Sequence, residues 1–453
     1  MQGAIQQHRR RRTGKSVQGN GGVGLRMDTS GKDTGLHEGR WVQLAIGVLC
    51  MVMIANLQYG WNLFVNPISH AHHWSRAAIN VAFSLFVVTE TWLVPVESWC
   101  VDRFGPRIVV AAGGVLVALA WVLDSLAASL PMLYAAAILS GIGAGAVYGT
   151  CVGNALKWFA GRRGLAAGLT AAGFGAGTAA TVVPIHDVIV THGYQTAFLW
   201  FGLIQGGVIL VGSQFLRRPK AAPAVISRGP NMQNRHSVRP AQVLRAPLFW
   251  LLYGMFVLVA AGGLIVTAQL ASIAADFGIA SMPLSVMGIT GTVLTVALVV
   301  DNVLNGLARP FFGWMSDQLG REPTMFVAFG LGAVAIWSLW TLGHAPGLFV
   351  LTSGLIYFTW GEIYSLFPAT CTDIFGFDFA TTNAGLLYTA KGTASLLVPL
   401  ANLAVGATGS WHMVLVLGAG MNALAALLAV FVLKPMRKAH AARQPAAAAA
   451  EML

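Results

Sequence analysis

Two basic side chains stand where a membrane-spanning helix would bury them. Lys391 falls near the middle of the apolar run Ala384–Pro399, and Arg309 lies in a second apolar segment, Val293 to Trp314. A cation at mid-bilayer costs roughly 2.5–3.5 kcal/mol on insertion scales, so such groups face a water-filled cavity or an anionic partner. Two of them suggest a site for an anion. Polar and aromatic residues recur at the same depth: Gln58-Tyr59-Gly60-Trp61-Asn62, Tyr148 just past Gly141-Ile-Gly143-Ala-Gly145, Trp360 and Tyr364 on one helix face, and Tyr388 three residues before Lys391. Trp and Tyr are commonest at membrane interfaces, so this group at mid-depth reads as a pocket wall; ordinary helix packing would use the same residue types. Glu90 and Glu362 also lie within spans, and either could carry a proton or balance a cation. Asp301 is roughly 12 Å before Arg309 along one helix, too far for a close pair. Glu362 is therefore the expected partner if the cations are structural.

The elements that position these residues follow from composition. The chain has 453 residues, 56% hydrophobic and only 10% charged, where a soluble protein carries about 25% charged residues. Twelve apolar stretches are long enough to cross a bilayer: 41–65, 77–99, 107–128, 131–157, 164–185, 195–216, 247–273, 285–314, 324–343, 346–370, 380–406 and 411–433. No alternation of the β-barrel type is present, so the fold class is an all-α membrane protein. With a cytoplasmic N-terminus, 25 of the 28 Lys and Arg residues fall on the cytoplasmic side; Arg76 falls outside, and Arg309 and Lys391 within spans. The formal charge of +12 is thus an orientation signal placing both termini in the cytoplasm of a cell inner (plasma) membrane protein. Residues 1–40 read as a disordered basic N-terminus and 435–453 as a disordered tail.

Other chemistries find little support. The Arg9–Arg12 run is a weak nucleic-acid signal in a chain dominated by spans, and no nucleic-acid partner is expected. His70-Ala71-His72-His73 lacks the carboxylate or Cys that would complete a metal site. Cys50, Cys100, Cys151 and Cys371 form no metal or disulfide pattern. No Walker A sequence indicates ATP drive, the Gly runs lie inside spans with no preceding strand, and no Ser/His pair or intramembrane His/Asp/Glu cluster suggests an enzyme. No cofactor is expected.

The chain repeats itself at an offset of 215 residues. Val94-Pro95 through Gly105 aligns with Arg309-Pro310 through Gly320, matching Pro, Trp, Asp and Gly in place; Ala176-Gly177-Thr178 aligns with Lys391-Gly392-Thr393, and Val183-Pro184 with Val398-Pro399. Six spans (41–216) plus six (247–434), joined by the basic loop 217–246, describe the parallel-repeat arrangement of the major facilitator architecture, with its site at midplane between the halves. Asp102-Arg103-Phe104-Gly105 and Asp317-Gln318-Leu319-Gly320 resemble that superfamily's signature loops, except that Ser98 replaces a Gly, which is expected to loosen span packing there. In the repeat, Arg309 occupies the position of Val94 and Lys391 that of Ala176, so the fold does not itself require charge at either position.

Tyr59-Gly60-Trp61-Asn62, Lys157-Trp158-Phe159, Arg162-Arg163-Gly164-Leu165-Ala166, Arg309-Pro310 and Tyr388-Thr389-Ala390-Lys391 resemble the oxalate/formate antiporter family, related to the monocarboxylate transporters, over about residues 41–434. The resemblance implies a secondary transporter of small carboxylates working by alternating access, with Arg309 and Lys391 binding carboxylates and Gln58, Tyr59, Tyr148, Trp360 and Tyr364 around them. Proton-coupled monocarboxylate symport is the alternative. Val52 stands where an aromatic is expected, and Tyr388 replaces an expected Trp, so the pocket is expected to be wider or more polar. A monomer in a lipid bilayer is the expected assembly.

Overall fold

The computed structural model describes residues 33–219, 237–286 and 288–441. Most of the basic N-terminus, the middle of the linker and the end of the tail lie outside the described residues. Residues from Arg40 onward form one compact unit, and of those before it Asp33–Gly39 are helical.

Helices occupy all twelve expected stretches. In chain order they are α1 (Asp33–Tyr59), α2 (Asn62–His72), α3 (Arg76–Trp92), α4 (Val94–Phe104), α5 (Pro106–Ser125), α6 (Leu130–Trp158), α7 (Arg163–His192), α8 (Tyr194–Ser213), the short α9 (Pro240–Val243), α10 (Pro247–Asp276), α11 (Val293–Leu319), α12 (Arg321–Leu342), α13 (Pro346–Trp360), α14 (Ile363–Phe375), α15 (Ala380–Ser395), α16 (Leu397–Thr408) and α17 (His412–Leu428). Proline opens several of them (α5, α6, α10 and α13) at a position whose N–H would be unpaired anyway. Among the described residues, eight helices are individually long and apolar enough to span, nine if α3–α4, bent by 43°, counts as one. The α13–α14 and α15–α16 pairs are likewise broken, around Gly361-Glu362 and at Leu396.

Two expectations about the elements need correction. The stretch expected as a span from residue 285 begins instead as an antiparallel hairpin, Pro283–Val286 with Ile289–Thr292. Gly288 at φ +83° supplies its turn, and α11 starts only where Thr292 caps it by accepting from the Thr295 N–H. The tail is not irregular from 435: the chain stays helical to residue 441, because Arg437 bonds Glu322 at 2.9 Å and is almost fully buried. The end of the linker is hydrogen-bonded to the end of α14 and the residues after it. The Val238 N–H donates to the Phe375 carbonyl at 2.8 Å, and Ser237 Oγ accepts from the N–H groups of Phe377 and Asp378.

The repeat seen in sequence is also a repeat of contacts. Gly105 and Gly320 adopt matching left-handed conformations, φ +93° and +101°, each ending one helix and opening the next. Asp317 accepts from the N–H groups of Gly164 and Leu165 at the start of α7, at 3.1 and 2.9 Å. Asp102 accepts from the N–H and hydroxyl of Thr382 near the start of α15 and pairs with Lys157 at 2.5 Å. Each aspartate thus caps the helix that the repeat relates to the other's target, where a carboxylate meets the positive end of a helix dipole. Ser98 does not hold the helices apart. It is buried between Gly149 and Gly385, whose missing side chains make the room that Gly313 makes against Gly164 in the second repeat.

Candidate functional site

α7 packs along α11, and α15 packs along α3 and α4. Glycines let these helices approach: a side chain at Gly168 would strike the backbone of Arg309 and Pro310, and one at Gly392 would strike Trp92 and Thr91. These approaches bring Arg309 on α11 and Lys391 on α15 into one buried layer. Both are essentially inaccessible, at 0% and 1% exposure, and both face the ring of Tyr364. The guanidinium lies 4.5 Å and the ammonium 5.8 Å from its centroid, so the two cations are no farther apart than those distances combined.

The aromatic wall forms around this layer. Tyr148 stacks on Tyr388 at 4.8 Å, Trp360 meets Tyr364 edge-on at 5.7 Å, and Phe174 joins Tyr59 to Tyr148 at 5.3 and 5.5 Å. Gly263 leaves the space that the Trp360 indole occupies. Several of these residues sit beside helix breaks. Tyr59 ends α1, Trp360 ends α13, Tyr364 lies in the first turn of α14, Glu90 lies near the end of α3 and Lys391 near the end of α15. Interrupted helices free backbone groups and re-aim side chains, which is tolerated at membrane depth where a cavity or site is lined.

The two cations differ in their partners. Lys391 Nζ donates to Glu90 Oε2 at 3.0 Å, to the Tyr388 hydroxyl at 3.1 Å and to Gln58 Oε1 at 3.4 Å; Tyr388 in turn donates to Glu90 Oε1 at 3.3 Å. Arg309 meets only neutral oxygens. Its Nη1 donates to the Ala171 carbonyl at 2.7 Å and its Nη2 to Asn305 Oδ1 at 2.8 Å, while Nε is buried without an acceptor. No carboxylate pairs with Arg309 among the described residues. Gln58 and Tyr59 are half-buried beside the layer, and Tyr59 lies within electrostatic reach of Arg309.

Glu362 is not the partner it was expected to be. It is fully buried, and among the described residues neither of its oxygens makes an ion pair or a side-chain hydrogen bond. Glu90 takes the role because α15 packs against α3, a choice that spacing within one helix cannot reveal. Asp301 bonds the Ser353 hydroxyl at 3.0 Å, away from Arg309. Sequence reasoning missed Asn305 and Phe174. Asn305 was findable, since it stands four residues before Arg309 on the same helix; nothing marked Phe174. Among the described residues no group of three or more His, Cys, Asp or Glu could hold a metal, and His72 of the histidine run instead meets the Tyr194 hydroxyl at 2.8 Å. A separate cavity of about 20 Å³, room for a single water, is lined by Asn56, Trp61, Phe86 and Asp124 and includes none of the site residues.

An all-helical membrane protein with broken helices around a buried cationic layer has the architecture of a transporter. The chain belongs to the Major Facilitator Superfamily, whose family model matches residues 44–399. It is 35% identical to the oxalate:formate antiporter of Oxalobacter formigenes over 90% of this chain and 94% of that one. It is 29% identical to human monocarboxylate transporter 11 over 61% of this chain and 56% of that one. In fold it is similar to the proton:xylose symporter XylE, with a TM-score of 0.64 and 14% identity over 88% of this chain and 96% of that one.

Proposed function

We propose that this chain is a secondary carrier, not an enzyme, that exchanges small carboxylates of the oxalate and formate type by alternating access. Arg309 carries the reading. It is a buried guanidinium with no carboxylate partner among the described residues, one face on Tyr364 and an unused N–H, in the same layer as Lys391. A planar fork of donors matches the two oxygens of a carboxylate. Gln58, Tyr59, Tyr148, Trp360, Tyr364 and Tyr388 would wall the cargo. The similarity to an oxalate:formate antiporter supports the substrate class. We further read 41–216 and 247–434 as the two rocking halves of a monomer in the plasma membrane, with cytoplasmic termini given by the Lys and Arg bias.

An empty site would leave the Arg309 charge uncompensated at mid-membrane, which disfavours crossing without cargo. Labelled oxalate uptake should therefore be at least tenfold faster into proteoliposomes loaded with oxalate or formate than into empty ones, and Arg309→Gln should abolish the difference. Equal rates into loaded and empty vesicles would sink the exchange reading. The carboxylate of Glu362, buried without a counter-ion among the described residues, favours a second reading, proton-coupled symport. In that case an acid outside would drive net uptake into empty vesicles, and Glu362→Gln would remove that drive.

A further inference from the structure

Away from the cationic layer, one cavity gathers polar atoms that the fold leaves without partners. Asn56, Trp61 and Asp124 all line it, at 1%, 8% and 4% exposure. Among the described residues, Asn56 Nδ2, Trp61 Nε1 and Asp124 Oδ1 make no hydrogen bond. The rest of the lining is largely aromatic: Phe64 stacks on Phe198 at 3.9 Å, and Trp121 meets Phe198 edge-on at 5.5 Å. Phenylalanine rings carry no donor or acceptor for the three atoms. On the other side of Asn56, the Thr181 hydroxyl of α7 donates to Oδ1 at 2.6 Å, which fixes the amide with its nitrogen as the unbonded end.

Charge and size decide what fits. Two N–H groups repel a cation, the carboxyl oxygen repels an anion, and an apolar molecule would strand all three atoms. A water can accept from both N–H groups and donate to Asp124, the set of bonds usual for an internal water. The cavity measures about 20 Å³, more than the ~10–15 Å³ that one water requires. Asn56 stands in the last turn of α1 and Trp61 in the break before α2, with Gln58 and Tyr59 between them. We propose that one internal water joins Asn56 and Trp61 to Asp124 on α5, and that Asp124 is thereby a positioning residue for the site. Through the water it ties both sides of the break to α5, and so fixes the turn from which Gln58 reaches Lys391 at 3.4 Å and Tyr59 meets Phe174. The water stands on the cavity alone; the positioning role rests on the carboxylate reading of the site.

The water is tested by NMR on the purified full chain, with the heavy nitrogen isotope in its tryptophan indoles. The Trp61 indole N–H, assigned by its loss in Trp61→Phe, should show a cross-peak to water with the sign of a bound molecule and not of hydrogen exchange. Asp124→Asn keeps an acceptor oxygen and should keep that cross-peak, while Asp124→Leu should lose it. A wild type without the cross-peak, a measurement that needs no variant to fold, overturns the water; a cross-peak that survives in Asp124→Leu removes Asp124 from it. The positioning role is read from oxalate exchange in loaded proteoliposomes. Asp124→Leu should raise the half-saturating oxalate concentration roughly threefold to tenfold, the equivalent of one lost hydrogen bond, with the maximal rate per folded carrier unchanged. Asp124→Asn should restore the wild-type half-saturation. Half-saturation that stays put in Asp124→Leu, or rises equally in Asp124→Asn, overturns the positioning role. A wild type that exchanges no oxalate overturns the carboxylate reading and the positioning role together, and the NMR signal then decides the water by itself.

Discussion

Arg309 and Arg321 are both fully buried arginines, one within α11 and one just beyond its end, yet their surroundings are opposite. Arg321 bonds Asp373 at 2.9 Å, Asp317 at 2.7 Å and the Ser316 hydroxyl at 2.5 Å, and Asp373 also takes Arg163 at 2.7 Å. Arg309 has a carbonyl, an amide oxygen and a tyrosine ring. A buried ion pair is worth little over an apolar replacement, but breaking one leaves a stranded charge and is expensive. The Arg321 cluster therefore holds structure together, tying the start of α7 to the ends of α11 and α14. Arg309 is a charge the fold tolerates without neutralising it, and its place in the first repeat is filled by Val94. The contrast separates a structural arginine from one kept for a ligand.

Three substitutions sharpen or break this contrast. Arg321→Gln should lower the unfolding free energy of the purified protein by about 3–5 kcal/mol, since it removes the buried cation that Asp373 and Asp317 share; a change under about 1 kcal/mol would mean the cluster is not structural. Gly385→Ala, which sets a methyl within 2.7 Å of Ser98 Oγ, should cost about 1–3 kcal/mol by overpacking α15 against α4, and pairing it with Ser98→Gly should restore most of that loss. The smallest stability effect belongs to Arg309→Gln: it removes a charge with no carboxylate partner among the described residues, so thermal unfolding without ligand should be unchanged or later while oxalate stabilisation is lost. A destabilisation matching that of Arg321→Gln would place Arg309 among the structural residues.

How far the sequence reached differs from feature to feature. The twelve apolar stretches and the signature loops were legible because hydropathy and glycine placement are properties of single segments. Asp102 and Asp317 were visible as matching residues, but their targets, Thr382 and the start of α7, lie in distant segments. Lys391 and Arg309 were legible because a charge in a 20-residue apolar run is costly wherever that run packs. The partner of Lys391 was not. Glu362 was the expected partner and Glu90 only another lone carboxylate in a span; the packing of α15 on α3 put Glu90 in that place instead. The hairpin before α11 was hidden because its apolar residues read as more of the same span. The helical tail to residue 441 was hidden because Arg437 reads as one more basic residue in a polar tail until Glu322 and Asp373 lie beside it.

By itself the sequence determined that this chain lives in a bilayer, repeats itself, and keeps two cations where lipid would penalise them. Those facts follow from solvation energies that depend on residue type and run length alone. The tertiary structure decided that one cation meets a carboxylate and that the other, among the described residues, does not. That distinction rests on which helices glycines allow to touch, and on hydrogen bonds between atoms hundreds of residues apart in the chain.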